Sequence, residues 1–322
     1  MKSTFVAELS AGESVDDLFA LRKAELKEYS TGKMIVIEVG DRTGRIKGVI
    51  WSGSGEILRN LIAGQIYRVK GSVTTYKSET QITVEKTEPV REFDPADFLP
   101  AGPISRDDLD SRLERAINSI SDPHYRALVS GIFSESGFRQ AFLGGVGGKL
   151  WHHNHTGGLA EHTLSVFDLC TDFAARYKEL DKDLIAAGAL LHDIGKVESY
   201  SLDNFIDYTD SGRLLGHIVI GDEKVRNAIS GIPEFPNEKQ LKIRHLVLSH
   251  QGSPEQSSPV PPMTSEGMAL YIADLLDSKL AAFRRIRQKE LRPGVRWSNY
   301  VNLLERHIYF GEDTNPDEQK DI

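Results

Sequence analysis

The period of the hydrophobic pattern changes near residue 90. Before that point apolar residues alternate with polar ones in short runs; beyond it they recur every three or four positions. Residues 34–39 form a β-rich run, Asp41-Arg42-Thr43-Gly44 supplies a turn, and residues 45–51 resume as a strand. Gly53-Ser54-Gly55 interrupts the pattern. Residues 56–61 then predict a short helix, and residues 65–73 and 80–84 two more strands. The chain ahead of residue 34 predicts a short helical or irregular opening. Further on, Ser105 looks like an N-cap, followed by Asp107 and Asp108 in the first turn and an apolar stripe at Leu109, Leu113, Ala116, Ile117 and Ile120. Helices are also predicted over residues 125–142, 159–177, 182–192, 218–229, 238–249 and 265–288.

A strand, a hairpin, a short helix and two further strands follow the order of a small five-stranded OB-type barrel. The expected fold is therefore multidomain, β plus α, with this barrel followed by an all-α domain. Pro95, Pro100 and Pro103 mark the boundary. The expected layout is a nucleic-acid-binding barrel at 1–92, a Pro-rich linker at 93–104, a helical domain at 105–310 and an acidic flexible tail at 311–322.

Composition narrows the class. The chain has 322 residues, enough for two domains, and a hydrophobic fraction of 39%. Its longest uncharged apolar runs are about eight residues, short of the roughly 20 a membrane helix needs. The beginning shows no signal-like apolar core. The single cysteine, Cys170, sits in an apolar helical pattern and excludes an internal disulfide framework. A soluble cytoplasmic protein is expected, and a homo-oligomer remains open.

The net charge of −8 argues against a protein coated for duplex DNA. Residues 41–86 depart from it, with eight Lys/Arg against four Asp/Glu. Trp51, Tyr67 and Tyr76, interleaved with Arg42, Arg45, Lys47, Arg68, Lys70 and Lys77, fit a groove that stacks bases and tracks phosphates. The competing reading puts Trp51 in the barrel core and the charges on solvated outer faces.

The chemistry concentrates in the helical half. His192-Asp193 ends the uncharged run of residues 184–191, so one imidazole and one carboxylate emerge together from a packed helix. Burying that pair without a partner is costly. Asp274 lies in the apolar helix Leu270-Tyr271-Ile272-Ala273-Asp274-Leu275-Leu276-Asp277, and His162 lies early in another. Together His162, His192, Asp193 and Asp274 make a mixed N/O shell for one divalent ion, suited to Mn2+, Fe2+, Co2+, Zn2+ or Ni2+ better than Ca2+. His217 and His250, each beside a helix end, are candidates for a second ion bridged by Asp193. His245 reads as packing. Asp193 is also a candidate catalytic residue, as is Lys196, which could face a phosphate. His152 and His153, in a glycine-rich loop before His162, are candidates for the substrate mouth.

Three motifs now fall into order: Gly158-Leu159-Ala160-Glu161-His162-Thr163, Leu191-His192-Asp193-Ile194-Gly195-Lys196 and Asp274. With them the chain resembles the HD superfamily of metal-dependent phosphohydrolases. With the barrel ahead of them, and with Gly212-Arg213-Leu214-Leu215-Gly216-His217-Ile218 and Leu246-Val247-Leu248-Ser249-His250, it is most similar to the YhaM-type 3′→5′ exoribonucleases. The resemblance implies an enzyme using Mn2+ or a similar ion that trims single strands from the 3′ end and releases mononucleotides, RNA before DNA. It implies primary ligands at His162, His192, Asp193 and Asp274, and a second-metal role for His217 and His250. Gln251 stands where the family often has another histidine, which puts the second ion in question. The alternative is a small-nucleotide phosphohydrolase or cyclic-dinucleotide phosphodiesterase with a regulatory barrel.

Overall fold

The computed structural model describes residues 2–29, 32–51, 55–77, 79–100, 102–148, 153–202 and 206–311. They form two compact units, Met1–Pro103 with Tyr200–Thr209, and Ile104–Ser199 with Asp210–Ile322. Among the described residues no helix is long and apolar enough to cross a membrane.

The first unit is a closed barrel. Its strands are β1 (Ser14–Tyr29), β2 (Gly32–Asp41), β3 (Gly44–Ile50), β4 (Ile66–Tyr76) and β5 (Glu79–Val90), with α1 (Gly55–Asn60) between β3 and β4. They close in the order β1-β2-β3-β5-β4, with β3 and β5 parallel and the other pairs antiparallel. Phe19, Leu21, Ile35, Ile37, Val39, Val69, Val73 and Ile82 fill the interior.

Strand β1 corrects the expectation of a helical or irregular opening. Its residues include Leu18, Ala20, Leu21, Ala24, Leu26 and several Lys and Glu, which favour helix locally. The strand exists because it pairs along its first half with β4 and along its second with β2. A bulge between Leu21 and Lys23 bends it from one neighbour to the other. Pairing across the barrel outweighs local propensity.

The second unit is helical. In chain order it has α2 (Arg106–Ser119), α3 (Pro123–Ser134), α4 (Ser136–Gly144), α5 (Gly158–Arg176), α6 (Lys182–Leu191), α7 (Lys196–Ser199), α8 (Asp210–Leu214), α9 (His217–Ser230), α10 (Asn237–Ser249) and α11 (Ser265–Glu290). Ser105 caps α2 by accepting the Asp108 N–H. The single helix expected over 125–142 is two, because Glu135 adopts an extended conformation between α3 and α4. One two-stranded hairpin, β6 (Tyr200–Ser201) with β7 (Asp207–Tyr208), falls between α7 and α8 and belongs to the first unit.

Helix α6 is the centre of the helical unit. All eight residues from Leu184 to Leu191 are buried. The lack of charge read in the sequence thus reflects packing on every side, against α3, α5, α10 and α11. Asp181 caps its start, accepting from Asp183 and Leu184 N–H. Its other end delivers His192 and Asp193.

Candidate metal centre

Asp193 is 1% exposed and His162 and His192 are fully buried. Around the Asp193 carboxylate the imidazoles divide into two sets. On Oδ2 converge His162 Nε2 and His192 Nε2, both at 3.4 Å. On Oδ1 converge His217 Nε2 at 3.4 Å and His250 Nε2 at 3.6 Å. Asp274 Oδ1 lies 3.2 Å from His162 Nε2, on the first side. These are the six sequence-predicted ligands, and the fold brings all of them together.

Close helix packing makes this possible. A Cβ at Gly195 would sit 2.0 Å from the His217 carbonyl oxygen, so only glycine lets the start of α9 press against the turn after Asp193. A Cβ at Gly188 would meet Leu246 at 2.3 Å, so glycine in α6 likewise admits α10, whose end carries His250.

The imidazole tautomers are set by what the other ring nitrogen touches. His192 Nδ1 lies 2.8 Å from the Ala189 carbonyl, and His250 Nδ1 the same distance from that of Val247. A carbonyl can only accept, so both Nδ1 atoms carry the proton and both Nε2 atoms present a lone pair inward. Those lone pairs face a carboxylate, acceptor against acceptor. Among the described residues neither Asp193 Oδ1 nor His250 Nε2 has a hydrogen-bond partner. Burying an ion costs several kcal/mol even after relaxation, and lone pairs recover none of it. A cation between Asp193 and the Nε2 atoms would. The donor set therefore fits a divalent ion, on one side of Asp193 or on both.

Lys196 supplies the charge seen nearest the carboxylate. Its Nζ lies 2.6 Å from Asp193 Oδ2 and donates to the Gly147 carbonyl at 2.7 Å. Burial pushes the Asp193 carboxyl upward; Lys196, His192 and His162 outweigh it, and the group lies well below the usual carboxylate range. Burial lowers the His162 pKa, but the Asp193, Asp274 and Asp277 carboxylates carry it well above its ordinary value. His217 behaves oppositely: burial takes it down to about 3, so it stays neutral and able to ligate.

Asp277 is the residue that sequence reasoning missed. Its Oδ2 lies 2.6 Å from His162 Nδ1 and 2.9 Å from His153 Nε2, and its Oδ1 accepts from Ser165 Oγ at 2.5 Å. It orients His162 from behind, the carboxylate–histidine arrangement that fixes ligand imidazoles. The available signal was spacing. Asp274 and Asp277 stand three apart on α11, and His162 and Ser165 three apart on α5, so each pair shares a helix face.

Several placements differ from the sequence reading. His153 does not line a substrate mouth; it is buried against Asp277 and Glu161, behind His162. His152 lies outside the described residues. Tyr67 is a core residue whose hydroxyl accepts the Ile62 N–H and donates to the Asn60 carbonyl, so it cannot stack on a base. Trp51 is not in the core but 50% exposed, and Tyr76 is 58% exposed. Arg45 pairs with Glu38 and Lys47 with Glu79, while Lys70 is exposed on β4. His245 accepts the Met263 N–H. Gln251 places its amide nitrogen 3.2 Å from His217 Nε2, where it can donate to that lone pair.

An open cleft of about 330 Å³ leads to the centre. Lys196, Asp274 and Gln251 line it, with Tyr271, Ser278 and Lys279 of α11 and, from the chain beyond α11, Leu303 and Leu304.

Residues 159–279 match the HD domain family, and residues 21–90 match a family described as an OB-fold nucleic acid binding domain. The chain joins an OB-fold domain to an HD domain. The six candidate ligands and Asp277 all fall inside the HD match. Residues 159–279 are thus an HD domain, and their His and Asp cluster can hold a divalent metal. The second OB-fold domain of replication protein A from Methanococcus maripaludis is similar to the barrel region, at 21% identity and a TM-score of 0.24, over 29% of this chain and 98% of that one. A putative aspartyl-tRNA synthetase from Leishmania major Friedlin is 17% identical, with a TM-score of 0.21, over 41% of this chain and 29% of that one. At these scores neither likeness bears on activity.

Proposed function

We propose that the protein is a metal-dependent 3′→5′ exonuclease that hydrolyses single-stranded RNA, and DNA as a secondary substrate, to mononucleotides. The observation carrying this reading is the buried Asp193 carboxylate, with four imidazole Nε2 atoms converging on its two oxygens and, among the described residues, no hydrogen-bond donor to Oδ1. His162, His192, Asp193 and Asp274 would hold one ion; Asp193, His217 and His250 would hold another. Bound there, Mn2+ or a related ion supplies positive charge against the phosphoryl oxygens and makes water acidic enough to attack.

This chain's own residues do the rest. Asp277 holds His162 in its ligating tautomer, and the buried Nδ1 bonds do the same for His192 and His250. Lys196, at the boundary between centre and cleft, can turn from Asp193 toward a phosphoryl oxygen and stabilise charge that builds there. Residues 1–92, with Trp51, Tyr76, Arg45, Lys47 and Lys70, would form the domain that holds the strand, supported by the OB-fold nucleic acid binding match. The family resemblance supports the polarity and the mononucleotide product.

The test uses end-labelled single-stranded RNA and DNA, each with an open or a blocked 3′ end, across a panel of divalent ions. The expected product is a ladder shortening by single nucleotides from open 3′ ends, fastest with Mn2+ and on RNA. Open and blocked strands cut alike, or neither cut, would overturn the proposal. Turnover of cyclic dinucleotides with strands left intact would establish the small-nucleotide alternative.

A further inference from the structure

A basic and aromatic surface of the helical unit lies beyond residue 279, where the family match ends. Residues 283–311 carry seven Lys/Arg against two Asp/Glu in a chain of net charge −8. Past α11 the chain turns back as a hairpin over residues 296–310, joined by the bridges Trp297↔Tyr309 and Val301↔Arg306. Its inner side chains, Val301, Leu304, Ile308 and Phe310, pack on Ile286 of α11. Its outer ones do not pack inward. Trp297, Tyr300 and Tyr309 are 56%, 54% and 48% exposed. Tyr309 is exposed between the buried Ile308 and Phe310, as strand alternation requires, and Trp297 is exposed beside the buried Ser298, the two rings 4.7 Å apart between centroids.

We propose that this hairpin is a second single-strand binding surface, a stacking platform with its own phosphate contacts that feeds the cleft of the metal centre. The inference rests on the nuclease reading, because it assigns the same substrate class to the site. Three observations favour nucleic acid as the occupant. Half-exposed aromatic rings offer faces for bases, each stacked base contributing about 1–3 kcal/mol. Arg284, Lys289, Arg292 and Arg306 are exposed, and among the described residues no ion pair joins them to a carboxylate. Leu303 and Leu304 of the same hairpin line the cleft that holds Lys196 and Asp274, so surface and centre are continuous. Pairing of this surface with itself in a second copy is disfavoured, since it would press one basic surface against another.

The experiment measures binding of a labelled single-stranded 12-mer RNA to the full-length protein in EDTA, where nothing is cleaved, as a function of salt. Trp297→Ala with Tyr309→Ala should weaken binding by about 5- to 100-fold, and Trp297→Phe should keep most of it. Arg292→Glu with Arg306→Glu should weaken binding and lower the salt slope by about one per lost phosphate contact. Unchanged binding in both double variants, with unchanged melting temperatures, overturns the proposal. So does a fall in the molar mass of the particle without a change in RNA affinity, which would mark the surface as an interface between copies. If the wild type binds strands in EDTA but cuts none with any metal, the nuclease reading fails while this surface stands.

Discussion

Two buried carboxylate clusters, one in each unit, use the same chemical groups to opposite ends. In the barrel, Asp17 Oδ2 accepts from Ser3 N, Ser3 Oγ and Thr4 N at 2.6–2.9 Å, and Oδ1 accepts from Leu18 N at 2.7 Å. Beside it Asp41 accepts from Val6 N, Thr43 N and Thr43 Oγ1 and lies 3.2 Å from the buried Lys2 ammonium. Every oxygen there has a donor from the chain, and the result is an N-terminal segment tied to the barrel. In the helical unit Asp193 is equally buried but meets, beside Lys196, the Nε2 lone pairs of His192 and His250. The first cluster is complete when the chain folds; in the second Lys196 reaches Oδ2, while Oδ1 faces His217 and His250 with no donor among the described residues. Burial alone therefore does not mark a functional carboxylate. What marks it is burial with a carboxylate oxygen left facing ring nitrogens in place of donors.

The largest effect that separates the two belongs to Asp193. Asp193→Ala should lower metal-dependent phosphodiester hydrolysis by about a thousandfold or more, the loss of several kcal/mol of charge stabilisation. It should also abolish the stabilisation on adding Mn2+, read as a rise in melting temperature, which for the wild type at a hundredfold excess over Kd amounts to about 2.7 kcal/mol of folding free energy. A variant that still gains stability from Mn2+ would place the ion elsewhere.

Asp277→Asn comes next. With His162 less firmly oriented, metal affinity by calorimetric titration should drop about 10- to 100-fold. An unchanged affinity would reduce Asp277 to a packing residue.

Asp17→Asn should act on stability alone. Replacing one carboxylate oxygen with an NH2 group leaves backbone donors facing a donor, at about 1–3 kcal/mol, read as faster amide exchange along β1 with metal affinity unaltered. The sign of its pH dependence follows from its shift. Burial raises the Asp17 pKa, the N–H and O–H donors around it outweigh that, and the folded value lies below the unfolded one. Its stabilisation is thus present above the unfolded value of about 3.9 and is lost as pH falls through the lower folded value. The gap between wild type and Asp17→Asn should narrow on acidification below about pH 4. A gap that stays constant would mean that the hydrogen bonds do not depend on the charge of Asp17.

The same contrast separates what could be read from the chain and what could not. The alternation of residues 34–39 and 45–51, the Ser105 cap and the apolar stripe of α2 are local patterns, and the elements formed where those patterns predicted them. The candidate ligands were legible because His-Asp at the end of an uncharged run, and an acid inside an apolar helix, conflict with burial unless a cation resolves the conflict. Strand β1 was not legible, since its residues favour helix and only its two neighbours make it a strand. Nor was Tyr67, whose place in the core depends on which face of β4 turns inward. His153 and Asp277 lie 124 positions apart, and nothing in either neighbourhood announces their 2.9 Å contact.

The sequence by itself determined the two-part architecture, β ahead of α, and the residue types at the candidate metal centre, because hydrophobic period and misplaced charge are properties of neighbours in the chain. Only the tertiary structure decided which oxygen of Asp193 each histidine faces, and which ring nitrogen is left to ligate. It also decided that His153 turns inward to Asp277 while Trp297 and Tyr309 turn out. Those choices depend on contacts between segments far apart in sequence, where one glycine at Gly195 or Gly188 sets how closely two helices meet.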